Sequence, residues 1–457
     1  MNLKMPATVQ LKGLNINRLK KGRIGLSRDR MPPAKILLVV PVLMVIAVLT
    51  LYGTAVNDKG EESAGILNVY CESESNPVNR TIGFGDLVFT GYNNDLRLTN
   101  DGKKAVFSAY NYPPGIEAGV ESSLLLLDLV TEKITTLDRG NTIRALGWDP
   151  AGENVLYVKD SNLTRFSLQE GAVNTLAEET YYGSYSPDGS MIAYTRGKSG
   201  LWVCDRNGDN QKRLTQATED WYPVWYPDGQ HLFYFNDLGQ ELGDGAGRLQ
   251  GMAKISVEDG SIEPLFPEKT GKFRSAGWIV PGESLHVVSG WDDVYYHHIM
   301  DLNGRKITDL GENNNEYAQG GYVTAVSGGG RLFKVAKGGL IEIYDGTGAL
   351  QKSFDLGQAG QVYTSASYAS DGRILTMHYL PSPGEAQVEK VIEILDPSTG
   401  NSTAVSQGRD NYEACFWGIG GHEVWVLEKN VLDSHYVLTG FSLVPIGDAE
   451  LFKPLPM

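Results

Sequence analysis

The sequence predicts an all-β chain: a β-propeller of about eight four-stranded blades behind one N-terminal transmembrane helix. Three observations predict it. A phrase recurs, since Tyr185 to Thr215 reads YSPDGSMIAYTRGKSGLWVCDRNGDNQKRLT and Trp225 to Phe235, 40 residues on, reads WYPDGQHLFYF. A Gly with an aromatic four residues before it and an apolar run after it returns at Trp148/Gly152, Tyr185/Gly189, Trp225/Gly229, Trp278/Gly282, Tyr368/Gly372 and Trp417/Gly421. And Ile36 to Asn57 is a twenty-two-residue run with no charge.

The N-terminal elements come first in the chain. Residues 1–35 hold nine Lys or Arg against one acid, Asp29, a net of +8. By the positive-inside bias this tail is cytoplasmic. Residues 36–56 follow as a signal-anchor helix, long enough at 1.5 Å per residue to cross a hydrocarbon core of about 30 Å. Pro41 falls in its first turns, where a lost backbone bond is tolerated. The 35-residue leader is long for a cleaved signal peptide, so the helix is expected to be retained. Residues 57–85 read as a polar linker, and residues 86–457 as the propeller on the extracytoplasmic side of the cell membrane.

Each repeat has a physical reading. Pro187-Asp188-Gly189 is turn chemistry, with Pro presetting φ and Gly taking the position that needs an unusual backbone angle. It joins strand a to strand b. Two short β-rich runs follow, MIAYTR and GLWVCD, then the turn Asn207-Gly208 and a final strand, KRLT. Four strands at a period of about 37 to 53 residues mark propeller blades rather than helical solenoids. Leu98/Gly102 is an aliphatic copy of the unit, and Gly320 to Gly348 a degenerate one whose turn has become Gly328-Gly329-Gly330. That makes eight units, or seven if the degenerate one only connects. Ring closure is open between Glu450 to Lys453 and Asp86 to Thr90.

Units three and four carry a more specific likeness. Aromatic, Ser, Pro, Asp, Gly, then Ile-Ala-Tyr, then Leu-Trp-Val-x-Asp and a terminal Leu-Thr resembles the repeat of the TolB-like, WD-repeat-like β-propeller family. The resemblance implies the fold over about 350 residues and rests on about 55 of them. It departs from TolB in having only about 30 polar residues, rather than a small α/β domain, between the apolar segment and the first blade.

Composition narrows the partners. The chain carries −15 overall, so outside its +8 tail it carries −23. No basic stripe of the kind that binds nucleic acid is expected, and anionic polymers are poor partners. Three cysteines, Cys71, Cys204 and Cys415, have no zinc spacing. No G-x-S-x-G elbow occurs, which excludes an α/β-hydrolase domain appended to the propeller. His297 and His298 are adjacent on strand c and so face opposite sides of their blade. His378 ends a strand b without an evident partner. Asp205 to Asn210 echoes a calcium loop but lacks the distal Glu. Neither a metal nor a cofactor is predicted.

The loops point to a binding face. Insertions at Tyr110 to Ser123, Asn236 to Met252 and Tyr379 to Lys390 all fall between strands b and c. Strand alternation puts those loops on the same face as the connections from d of one blade to a of the next. There an acid repeatedly stands beside an aromatic: Glu179 near Tyr181, Asp220-Trp221, Glu316-Tyr317 and Asp410 near Tyr412. With Tyr112 and Trp291, these ten residues are the expected ligand contacts. The reading is a non-catalytic binding or scaffold module for an envelope protein, peptide or glycan. The alternative is a propeller enzyme of polysaccharide lyase or glycosidase type with its site at the channel mouth.

Overall fold

The computed structural model describes residues 79–83, 87–89, 96–111, 121–243, 247–291, 294–312, 324–326, 330–335, 340–355, 362–369, 371–379, 389–409, 412–418, 421–429 and 436–443. The basic tail, the apolar run and residues 57–78 lie outside the described residues.

Eight antiparallel sheets follow one another along the chain. Blade four shows the pattern: a is Trp221–Trp225, b is His231–Glu241, c is Arg248–Ser256 and d is Ile262–Leu265, each paired with the next. Blade one is the exception, its inner edge being split into Leu87–Phe89 and Arg97–Leu98, both paired with Lys104–Asn111. The degenerate unit is a full blade of four strands: Thr324–Val326, Arg331–Val335, Leu340–Asp345 and Leu350–Asp355. The count is therefore eight.

Of the two strands expected to close the ring, Asp86 to Thr90 does not do so. Leu87–Phe89 belongs to the inner edge of blade one, and Glu450 to Lys453 lies outside the described residues. The outermost strand of blade eight is instead Asn79–Gly83, from the stretch expected to be linker. It runs antiparallel to Tyr436–Ser442, with Asn79 opposite Phe441 and Gly83 opposite Val437. A strand from the beginning of the chain thus completes the sheet built from its end.

The buried apolar residues fall into eight clusters, and each cluster lies between two neighbouring blades. Leu156, Leu163, Ile192 and Tyr194 join blades two and three, while Phe233, Phe235, Phe273 and Leu285 join blades four and five. Ile82, Phe107, Leu125, Trp425 and Leu438 join blade eight to blade one. The apolar character of both strand faces follows, because every interior sheet is covered on each side by another.

The repeat signature explains the register between blades. All eight repeat glycines, Gly102, Gly152, Gly189, Gly229, Gly282, Gly330, Gly372 and Gly421, have φ between 65° and 91°. The unit-six glycine kept this conformation when its aromatic drifted. The aromatic itself is an inter-blade tie: the indole N–H of Trp148, Trp225, Trp278 and Trp417 donates to the backbone oxygen of Arg97, Ser184, Trp225 and Ser367, each on strand a of the preceding blade, at 2.7 to 3.1 Å. The turns also stack. A Cβ on Gly189 would lie 3.0 Å from Pro150 Cδ of the blade before, and one on Gly282 would lie 3.4 Å from Pro227 Cδ.

Candidate functional site

Because all pairings within the blades are antiparallel, the b–c loops and the d–a connections emerge on one face of the ring. The b–c insertion of blade four, expected to be a flexible loop, is largely a hairpin extension. Strands b and c continue past the body of the blade to Asp237 opposite Gln250 and Glu241 opposite Arg248. Arg248 Nη1 pairs with Asp237 Oδ2 at 2.8 Å, and the Asp237 amide donates to Asp220 Oδ1 at 2.7 Å. Asp220 thereby ties the entry of blade four to its own hairpin. It is 4% exposed, and burial raises its carboxyl above the ordinary range.

Trp221 is half-buried beside it. Its ring meets Tyr222 edge-on at 5.4 Å and Phe235 at 5.7 Å, and its Nε1 is buried without a hydrogen-bond partner. A left-handed Tyr222, φ 60°, and a register shift between Trp221 and Val224 turn the two rings of this pair to different surroundings. Tyr222 stacks on Tyr182 of blade three at 4.8 Å.

Asp220 and Trp221 open onto a cavity of about 400 Å³ at the junction of blades three, four and five. Lys198 from blade three, Glu219 from the connection into blade four, and Gln250, Lys272 and Arg274 from blades four and five share its polar lining. Gln250 is 2% exposed and holds the blade-five entry by accepting the Phe273 amide at 2.9 Å. The cations and Gln250 were not anticipated from the sequence. Nothing in their spacing sets them apart; three successive blades bring them together.

The other expected contacts have different placements. Glu179 is exposed in a left-handed conformation, φ 55°, its carbonyl accepting the Gly197 amide at 2.6 Å beside the same cavity. Tyr181 is 58% exposed near the start of the following strand, Thr180–Tyr185. Tyr412 is 4% exposed, inside the core between blades seven and eight, with its hydroxyl 2.6 Å from Ser406 Oγ. It offers a ligand almost no surface. The backbone of Trp291 ends strand b of blade five, and its side chain lies outside the described residues. So do Tyr112, Glu316, Tyr317 and Asp410.

The histidines separate as their alternation requires. His297 Nδ1 meets His286 Nε2 at 2.8 Å on one side of blade five. On the other side His298 is held at both ring nitrogens: Nε2 lies 2.7 Å from Ser289 Oγ and Nδ1 2.5 Å from Asp309 Oδ1. These three line a second cavity, of about 360 Å³, with Glu268, Lys269 and Tyr296. His378 does have an acidic neighbour, its Nε2 being 4.0 Å from Glu393 Oε1. Asp205 forms an ordinary turn, its carboxylate accepting from the amides of Asn207 and Asp209 and from Asn210 Nδ2. Among the described residues no group of three or more His, Cys, Asp or Glu is placed to hold a metal ion.

No protein-family model matches this sequence, and no curated protein matches it. Solved structures do match. Dipeptidyl peptidase 4 from Porphyromonas gingivalis superposes with a TM-score of 0.55 at 12% identity, over 76% of this chain and 57% of that one. This chain thus spans little more than half the peptidase's length, and the likeness is one of fold. An oligogalacturonate lyase in complex with manganese matches at TM-score 0.43 and 14% identity, covering 79% of this chain and 89% of the other. A TolB-type protein from Agrobacterium tumefaciens matches at 0.38 and 13%, covering 74% and 99%. At those scores the latter two add nothing to what the strand pairings show.

Proposed function

We propose that this chain is a membrane-tethered, extracytoplasmic propeller that binds an envelope protein, peptide or glycan on the face bearing its b–c insertions, without catalysis in the cavity of Asp220 and Trp221. The observation that carries the reading is the cavity shared by Asp220 and Trp221. It combines an indole with an unpartnered N–H, a buried amide, two acids and three cations on a scaffold of three blades. Loops and connections on a rigid scaffold are where recognition is usually built. Both signs of charge beside an aromatic suit a peptide segment, whose own groups alternate donor, acceptor and apolar surface, better than they suit a uniformly anionic polymer. The tether rests on the uncharged run Ile36 to Asn57 after nine basic residues.

The test is capture from envelope extracts on a soluble chain beginning near residue 76, which keeps the closing strand Asn79–Gly83. Trp221→Ala combined with Tyr181→Ala should weaken the captured partner by about 2 kcal/mol or more, some thirtyfold in affinity. Unchanged affinity in a variant with unchanged thermal unfolding would move the binding surface elsewhere on the ring.

A further inference from the structure

We propose that Ser289, His298 and Asp309 form a nucleophilic acyl-transfer site in blade five, acting on small carboxylic esters. Three consecutive strands present them side by side. Ser289 stands on strand b (Ser284–Trp291), His298 on c (Val294–Asp301) and Asp309 on d (Lys306–Glu312). His298 is directly opposite both Val287 and Asp309, so the Ser289 hydroxyl, two residues along from Val287, reaches the ring diagonally.

The arrangement has the parts and the order that activate a serine. The Asp309 carboxylate accepts from His298 Nδ1, which leaves Nε2 free to take the Ser289 proton at 2.7 Å. His298 is 3% exposed and fixed from both sides, while Ser289 is only half-buried and opens with it onto the 360 Å³ cavity. Lys269 Nζ, 3.3 Å from Asp309 Oδ1, brings a positive charge to the cavity wall. Burial, and after it that charge, lowers the imidazole's proton affinity against the opposing pull of Asp309, which favours the neutral ring that can act as a base.

The reaction needs only water as co-reactant. Ser289 Oγ bonds to the ester carbonyl carbon as its proton passes to His298 Nε2. The tetrahedral adduct then collapses, the C–O bond to the alcohol breaks, and the imidazolium returns the proton to the departing oxygen. Water repeats the attack on the acyl-serine, its proton moving to Nε2. The second tetrahedral adduct collapses with cleavage of the bond from the acyl carbon to Oγ, Nε2 returns its proton to Ser289 Oγ, and the carboxylic acid leaves. Asp309 acts as a positioning residue, through His298 alone.

The experiment exposes the full-length chain to a fluorophosphonate, which labels activated serines covalently, and maps the adduct by peptide mass spectrometry. The expected result is an adduct on Ser289 and slow hydrolysis of p-nitrophenyl acetate. Ser289→Ala should abolish both, and His298→Gln should slow labelling at least a hundredfold. Asp309→Asn should slow it about tenfold and lower the pH of half-maximal labelling, because burial and Lys269 then lower the imidazole's proton affinity unopposed by the carboxylate. Asp309→Glu should recover much of the rate. Absence of an adduct on Ser289 in the folded wild-type chain overturns the proposal, whether or not the variants fold, and so does His298→Gln labelling at the wild-type rate. Neither result bears on the cavity of Asp220 and Trp221, whose variants are different.

Discussion

Inside blade seven, His378 is fully buried and Glu393 nearly so, 4.0 Å apart, and burial moves them in opposite directions. It pushes the Glu393 carboxyl up to about 7 and the His378 imidazole down to about 4. The raised carboxyl contributes stability that is fully present below about pH 4.5 and is lost as pH rises through about 7. The lowered imidazole does the reverse: its contribution holds above pH 6.5 and is lost as pH falls through about 4. The two slopes oppose each other between those limits. Glu393→Gln removes one of them, so the variant should gain on the wild type between pH 5 and pH 8 by up to about 3 kcal/mol. Denaturant titrations at both pH values measure this, and a parallel pair of curves would assign the pH response to other groups. At this scale the sequence was legible where one residue has one geometric duty. The turn glycines and the tryptophan ties announce themselves by position. Tyr412 did not, because an acid beside an aromatic looks the same whether the ring faces solvent or the next blade.

The elements were legible as far as alternation and turn chemistry reach. Strands a to d, the a–b turns and the placing of all three insertions between b and c follow from local sequence. The hairpin of blade four does not, since its extension depends on Arg248 meeting Asp237 across the strands and on Asp220 reaching in from the preceding connection. Arg248→Ala should therefore speed amide exchange at Asp237 and Gly239 while leaving the global unfolding midpoint in place. Exchange confined to the rate of the rest of blade four would show that the ion pair contributes little. The Ser289, His298 and Asp309 series was missed for a related reason. Spaced by nine and eleven residues, each is an ordinary strand residue, and only the cross-strand register of blade five brings the three into line.

For the whole molecule, the repeats predicted a ring but not where it is fastened. Asn79 to Gly83 reads NRTIG, too short and polar to show the repeat, and its partner lies more than 350 residues away in the sequence. No local pattern encodes such a pairing. Its removal should be costly, however. A chain beginning at residue 86 loses the five-residue pairing with Tyr436–Ser442 and the buried Ile82. About 3–5 kcal/mol should go with it, at roughly 1 kcal/mol for each backbone hydrogen bond and with the apolar contact added. Calorimetry should show a lower unfolding temperature than for a chain beginning at residue 76, and sedimentation should show association through the uncovered edge. Equal unfolding temperatures would mean that three strands suffice for blade eight.

That fastening also sets a timetable. A ribosome adding about 5–20 residues per second takes roughly 20–70 s to travel from Gly83 to Tyr436. Throughout that interval Asn79–Gly83 has been made and its partner has not. Blades two to seven are complete in sequence before the strand that closes blade eight can dock, so ring closure is a late event. The newborn protein passes through a stage in which an open arc carries an unpaired strand at one end and, finally, an uncovered sheet at the other. Whatever shields those two ends in that interval decides whether they find each other or the ends of a neighbouring chain.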